Sequence, residues 1–235
     1  MGVGPSADSY LSVRASAFDR SETAEEPTET TIVIQRSRFI GCAARVLSKE
    51  DVTDFIKSRK TKHPQANHHV WAYVIDVKGG SQHFSDDGEP GGSAGAPVFG
   101  VLSKHRLERT ALVVTRYFGG IKLGISGLIE AYRRSAEETI QAVGIARYRL
   151  YRRYAFALAY PDWKGFQRFL SALGVEENGI EVRYAEKVEV LVTVLVESAP
   201  RLREELDRFI AMRKIIGYTE SDPAFVPDLS ETDTL

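Results

Sequence analysis

Residues 113–132 read VVTRYFGGIKLGISGLIEAY, and this stretch decides the fold. With the residues just before it, it forms RTALVVTRYF, a β-branched and aliphatic run that reads as a strand. Gly119, Gly120, Gly124 and Gly127 then mark a loop, and SGLIEAYRRSAEETIQAVG follows with the 3.6-residue apolar period of a long helix ending at Gly144. Extended chain that enters a helix through a glycine loop leaves free backbone N–H groups at the junction, here beside Arg116 and Lys122.

Upstream, TIVIQRSRFIGCAARVL from Thr31 gives two short β-type runs, and SKEDVTDFIKSRKTKH reads as a helix with Ser48 as N-cap and Asp51 at N3. Val52, Phe55 and Ile56 form its apolar stripe. HHVWAYVIDV is a strand, followed by a Gly79–Gly80 turn and SQHFS. DDGEPGGSAGAP is a second glycine loop, and it leads into the apolar helix PVFGVLSKHRL. Gly91, Gly92 and Gly95 permit close approach, and Ser93 is a candidate cap, so this loop too is a candidate anion nest. The glycines could equally serve tight turns and helix–sheet packing.

After Gly144 the rhythm changes to a strand (RYRLYRRYAFALAY), a helix opened by Pro161 and Asp162, two strands, a helix from about Ser198 and a last strand, RKIIGY. This βαββαβ order is the ferredoxin-like plan. The expected class is therefore α+β, with domains at 31–146 and 147–221 between acidic flanks at 1–30 and 222–235.

Those flanks change what the net charge means. Over all 235 residues the formal charge is −1, which argues against nucleic acid as a partner. Residues 1–30, however, hold six acids and two bases, and residues 222–235 hold four acids and no base. The body between them has 29 bases and 22 acids, a charge of +7. The flanks, rich in Ser, Thr, Pro and acids, are expected to be loose, with docking open to the stretch around Leu11, Val13 and Phe18. One cysteine, Cys42, excludes an internal disulfide framework and a Cys-rich zinc site. The absence of a long apolar run or an N-terminal apolar region gives a soluble, cytoplasmic protein with no membrane partner as the expectation.

Cofactor motifs are missing. The segment from Gly119 has the glycine spacing of a P-loop but Ile125 where the lysine belongs, and G-x-G-x-x-G does not occur, so ATP and NAD are discounted and no cofactor is expected. Asp86, Asp87 and Glu89, with His68, His69 and His83 nearby, are the usual parts of acid–base or metal sites. Against that, His68 and His69 are adjacent in a strand and point to opposite faces, no H-E-x-x-H occurs, and the carboxylates could be turn and capping groups. Cys42 lies in an apolar strand and reads as a structural thiol. RYRLYRRY places Arg147, Arg149, Tyr151 and Arg153 on one face, a candidate nucleic-acid surface or a solvated sheet face.

The succession SRFIG (37–41), HHVWAY (68–73), FSDDGEPGGSAGAP (84–97) and VVTRYFGGIKLGISGLIEAY (113–132) closely resembles the IMPACT/YigZ family. The resemblance covers about residues 31–145, and the tail resembles the second domain of bacterial members. It implies that the first domain has the fold of ribosomal protein S5 domain 2 and the second that of elongation factor G domain V. Eukaryotic relatives place an RWD domain ahead of this region, so the chain looks like the bacterial two-domain form. Those eukaryotic relatives compete with the starvation kinase for its ribosome-bound activator and so relieve inhibition of translation initiation. For bacterial members the resemblance settles no enzymatic activity. The matching positions are Asp86, Asp87, Gly88, Glu89, Pro90, Gly95, Arg116, Tyr117, Gly119, Gly120 and Lys122, which with Gly92, Ser93 and Gly124 make the candidate anion site. Three positions depart from the pattern: Ala96 and Glu130 where basic residues are usual, and Val70 in place of cysteine.

The leading expectation is a non-enzymatic, translation-associated protein that binds RNA, the ribosome or a ribosome-bound protein. The alternative is a small-molecule hydrolase or other enzyme using Asp86, Asp87 or Glu89, with an anion held by the glycine loops. A third reading is a purely protein-binding regulator. Convergence of two of the carboxylates with a histidine favours the enzyme; carboxylates capping backbone N–H groups favour the binding protein.

Overall fold

The structure, a computed structural model, describes residues 9–14, 26–76 and 80–228. In chain order its elements are β1 (Ser9–Val13), β2 (Glu29–Ile34), β3 (Ser37–Arg45), α1 (Lys49–Lys62), β4 (His68–Asp76), β5 (Ser81–Ser85), α2 (Gly95–Lys104), β6 (Thr110–Tyr117) and α3 (Gly124–Val143). There follow β7 (Ile145–Leu158), α4 (Tyr160–Ala172), β8 (Ile180–Tyr184), β9 (Val188–Leu195), α5 (Ala199–Ala211), β10 (Tyr218–Glu220) and β11 (Ala224–Pro227). The fold is mixed α/β and divides into two compact units between Ala146 and Arg147.

In the N-terminal unit, β2-β3-β6-β4-β5 form one sheet in which every neighbouring pair is antiparallel. The uninterrupted apolar run of β6 follows from its central place, because alternate side chains enter two different cores. Ala111 and Val113 pack with Cys42, Ala44 and the α1 residues Val52 and Phe55 on one face. Leu112 and Val114 pack on the other with Phe39, Val70, Val98 and Leu102, and with Leu128, Tyr132 and Ile140 of α3. Helix α1 begins as its sequence requires: Ser48 Oγ accepts from Asp51 N at 3.1 Å, and Asp51 Oδ2 accepts from Ser48 N at 3.0 Å, a reciprocal capping box.

The C-terminal unit has the sheet order β7-β9-β8, with β10 and β11 pairing separate stretches of β7. Tyr154, Phe156 and Leu158 of β7 and Val188, Val190 and Val192 of β9 pack against Trp163, Phe166 and Leu170 of α4 and Leu202, Leu206 and Phe209 of α5.

The described parts of the acidic flanks are ordered, and the docking left open to Leu11 and Val13 is found. Val13 is fully buried, Ser12 Oγ lies 3.0 Å from Thr110 Oγ1, and Glu108 N donates to Leu11 O at 2.7 Å. Glu26 and Glu29 pair with Arg59 and Lys62 of α1 at 3.0–3.4 Å. Downstream, β11 lies inside the segment read as a tail, and Asp228 is 9% exposed and accepts from the Tyr151 hydroxyl at 3.0 Å. Backbone pairing along β7 and opposite charge on the body supply the ordering that composition alone cannot reveal. Phe18 and Gly79 lie outside the described residues.

The face of RYRLYRRY that carries Arg149 and Tyr151 is not wholly solvated: Tyr151 is buried like Tyr148 and Tyr154, and it pairs with Leu195 of β9 on one edge and Ala224 of β11 on the other.

Candidate functional site

The register of the N-terminal sheet places Arg116 of β6 directly between Phe39 of β3 and His68 of β4. Its guanidinium is 5.4 Å above the Phe39 ring and 5.5 Å from that of Phe118. Nη1 donates to Glu89 Oε1 at 2.6 Å and Nη2 to Ser37 Oγ at 3.3 Å. The Tyr132 hydroxyl, from α3, donates to the same Glu89 oxygen at 2.7 Å. Burial, then the Glu89 charge, push the Tyr132 hydroxyl far above the ordinary phenol range, so it stays protonated and donates to Glu89. Among the described residues Arg116 Nε has no hydrogen-bond partner.

The first glycine loop holds an anion already, and that anion is Asp86. Its carboxylate accepts from Gly92 N at 2.9 Å, Ala94 N at 3.0 Å and Gly95 N at 2.8 Å. Burial works to raise its pKa, yet the three N–H donors outweigh it and hold the carboxyl below its ordinary value. This corrects two expectations. The Gly92–Gly95 turn is not open to an external anion, and Ser93 is not the cap of α2, since its hydroxyl donates to Pro90 O at 2.6 Å. Gly95 is required by packing: a Cβ there would lie 2.8 Å from the Ser85 backbone.

Asp87 is engaged in the same way. It accepts from His69 N at 2.6 Å, and its own carbonyl accepts from His68 Nδ1 at 2.8 Å. A carbonyl can only accept, so Nδ1 carries the proton, and Nε2 faces Glu89 Oε1 at 3.9 Å. His69 contacts Thr115 Oγ1 on the opposite face of the sheet. Of the three acids, Glu89 alone shares a cleft with a histidine. Among the described residues no three His, Cys, Asp or Glu side chains converge in a way that could hold a metal. Cys42 is buried, and burial pushes its thiol up to about 11, which keeps it protonated and unreactive at neutral pH.

The second glycine loop is the open one. Gly119 lies against the β2–β3 turn, where a Cβ would be 2.1 Å from the Arg36 carbonyl carbon. Gly120 and Gly124 have φ of 85° and 72°. α3 then starts with Leu123 at the N-cap, no side chain capping it and no acid in its first turn. A cleft of about 450 Å³ opens here, lined by Arg116, Glu89, His68, Lys122 and Gly124 among others. Of the positions expected to bind an anion, Glu89, Arg116, Lys122 and Gly124 line it. Tyr117 is corrected out, because alternation along β6 sends it to the α1 face, where its hydroxyl meets His63 Nδ1 at 3.2 Å. Ser37, Asn67, Phe118, Ile125, Leu128 and Tyr132 complete the cleft and its support. Apart from Phe118, these residues are distant from Arg116 in sequence, and the packing of α3 and the neighbouring strands brings them to it.

On the C-terminal unit the expected basic surface is largely self-paired. Arg149 meets Glu197 at 3.2 Å and Asp228 at 3.7 Å, and Arg152 pairs with Glu220. Arg147 and Arg153 are exposed.

Residues 35–140 match the Impact N-terminal domain. Over 175 residues the chain is 41% identical to IMPACT family member YvyE of Bacillus subtilis, covering 71% of this chain and 76% of that protein. The chain belongs to the IMPACT family. IMPACT family member YigZ of Escherichia coli is 34% identical over 61% of this chain and 72% of its own length. A crystal structure of a hypothetical protein superposes with a TM-score of 0.56 at 26% identity, covering 95% of this chain and 99% of that one. Against the IMPACT pattern, Val70 is fully buried in the core, and Glu130 is exposed and paired with Arg133 at 2.7 Å, so neither departure touches the cleft. No helix among the described residues is long and apolar enough to cross a membrane.

Proposed function

We propose that this IMPACT family chain is a non-enzymatic, translation-associated regulator that binds RNA of the ribosome through the donor-rich cleft and the basic groups around it. The observation that carries this reading is the engagement of Asp86 by three backbone N–H groups, with Asp87 similarly held. Carboxylates used to build a loop are not available as a general base or metal ligands. Glu89 Oε1 already accepts from Arg116 and Tyr132, which leaves the enzymatic alternative without a free acid–base pair. The +7 body supports attraction to polyphosphate, and the family resemblance supports the link to translation and a cytoplasmic setting.

The architecture supports the same reading. We read β7-β9-β8 with β10 pairing β7, and α4 and α5 packed on a shared core, as a ferredoxin-like domain. We read the N-terminal unit as the S5 domain 2-like partner.

Filter binding to ribosomal RNA and co-sedimentation with ribosomes test the proposal. Binding should fall steeply with added salt, as counterion release requires. Absence of RNA binding at low salt, with a partner protein retained after nuclease treatment, would replace RNA by a protein partner.

A further inference from the structure

We infer that the stacked pair Tyr160 and Tyr184, on the surface of the C-terminal unit, is a platform for the unpaired bases of single-stranded RNA. The inference deepens the proposed function and rests on its reading of RNA as the partner, but it uses no residue of the cleft.

The pair stands outside the core. Tyr160 opens α4, and Tyr184 closes β8, an edge strand of its sheet. Tyr160 is 50% exposed and Tyr184 65% exposed, and neither belongs to the buried cluster that α4, α5 and the sheet build. Their ring centroids are 6.2 Å apart, with planes 22° from parallel. One face of each ring is therefore turned to the other ring, and the exposure falls on the outer faces and edges. Two large rings kept stacked in solvent leave apolar surface that a further flat ring can cover.

The platform is tied in place. The Tyr160 hydroxyl donates to Ala185 O at 2.8 Å, which links the start of α4 to the β8–β9 turn. Within that turn Ala185 N donates to Lys187 O at 3.0 Å. A ring already fixed by a hydrogen bond loses little conformational freedom when a base stacks on it.

The charges around the pair select the occupant. Lys164 lies four residues beyond Tyr160 in α4 and so shares its side of the helix. Lys187 lies in the turn that Tyr160 holds. Both lysines are exposed, and among the described residues neither has an acidic partner. Two neighbouring acids are engaged: Asp162 pairs with Lys214 at 2.6 Å and Glu189 with Arg183 at 3.1 Å. Glu186 is then the one exposed acid of the turn itself. Unpaired cations beside open aromatic faces match a strand that carries phosphates along its backbone and free bases beside them. A duplex keeps its bases stacked inside, whereas a single strand can lay them on a protein ring.

The test is fluorescence anisotropy of a labelled short oligouridylate, and of an RNA duplex of the same length, titrated with the full chain. The single strand should bind at least about fivefold more tightly than the duplex. Tyr184→Ala should weaken single-strand binding roughly tenfold without changing its salt dependence, and Tyr184→Phe, which keeps the ring, should retain it. Lys187→Ala should instead flatten the slope of log affinity against log salt by about 0.7, the loss of one phosphate contact to a single strand. Both side chains are exposed, so circular dichroism should show an unchanged fold. A duplex bound as tightly as the single strand, or an affinity indifferent to Tyr184→Ala, would overturn the inference. Ribosomal RNA binding that persists alongside such a result leaves the translation reading standing and this inference alone defeated. A protein partner retained after nuclease treatment and released by Tyr184→Ala would assign the pair to a protein surface and overturn it as well. Failure of the chain to bind any RNA defeats the inference and the RNA reading together.

Discussion

Arg116 and Glu89 form a buried ion pair at 2.6 Å, with side chains 6% and 4% exposed, in the wall of the cleft. A pair so deep contributes less to net stability than its Coulomb attraction suggests, because both charges leave water. Removing one partner is a different matter, since the survivor is left charged and dry.

Glu89→Ala should therefore lower unfolding stability by about 3–5 kcal/mol, measured by urea denaturation at pH 7. Replacing both residues with Leu should recover a large part of that loss, and the double-mutant cycle should give a clear coupling energy. Additive effects of the two single substitutions would show that the pair does not act as a unit.

Asp86→Asn should destabilise the N-terminal unit by about 1–3 kcal/mol. One asparagine oxygen can accept from Ala94 and Gly95, but the amide nitrogen then meets Gly92 N, a donor facing a donor. Hydrogen exchange at Gly92 should rise most in this variant, and unchanged protection there would show that the carboxylate does not organise the loop.

Two loop glycines that look alike should respond in opposite ways to alanine. At Gly119 a Cβ would sit 2.1 Å from the Arg36 carbonyl carbon, a clash only backbone movement relieves, so Gly119→Ala should cost more than about 2 kcal/mol. At Gly91 an added Cβ would meet nothing within 4 Å, and φ is not positive, so Gly91→Ala should be neutral or stabilising by up to about 1 kcal/mol. Thermal unfolding of the two variants distinguishes them.

Stability should fall as acid is added, in two stages. Burial holds His69 below its ordinary value of 6.5, so the unfolded chain takes up that proton first and stability declines as pH drops below that value. His69→Gln should remove this first slope. The second stage comes from Glu29, Glu26 and Asp86. Glu29 is raised by burial but lowered more by His63 and Lys62, Glu26 is lowered chiefly by Lys62, and Asp86 by its backbone donors. Their contribution is present above ordinary carboxylate values and is lost as pH falls through the depressed ones. A denaturation midpoint independent of pH between 7 and 5 would contradict the His69 assignment.

By itself the sequence determined the family and most of the elements, but not β1 or β11, and it set the last strand on RKIIGY, whereas β10 begins only at Tyr218. The apolar run of β6, the period of α3 and the Ser48 capping box are local, and local propensity and patterning are enough to specify them. The motifs from Ser37 to Tyr132 were equally legible, because they are unbroken strings. Tertiary structure alone decided which glycine loop is open. Asp86 precedes Gly92 by six residues, a spacing with no rule of its own, and only the folded turn brings its carboxylate onto three N–H groups. Likewise Tyr117 and Arg116 are neighbours in sequence but lie on opposite faces of the sheet, whereas Arg116, Glu89, Ser37 and Tyr132 are far apart in sequence and touch. The acidic flanks make the same point, since Asp228 reads as tail but is buried beside Arg149 and Tyr151. Composition counts charges, but pairing depends on distance, and the fold sets the distances.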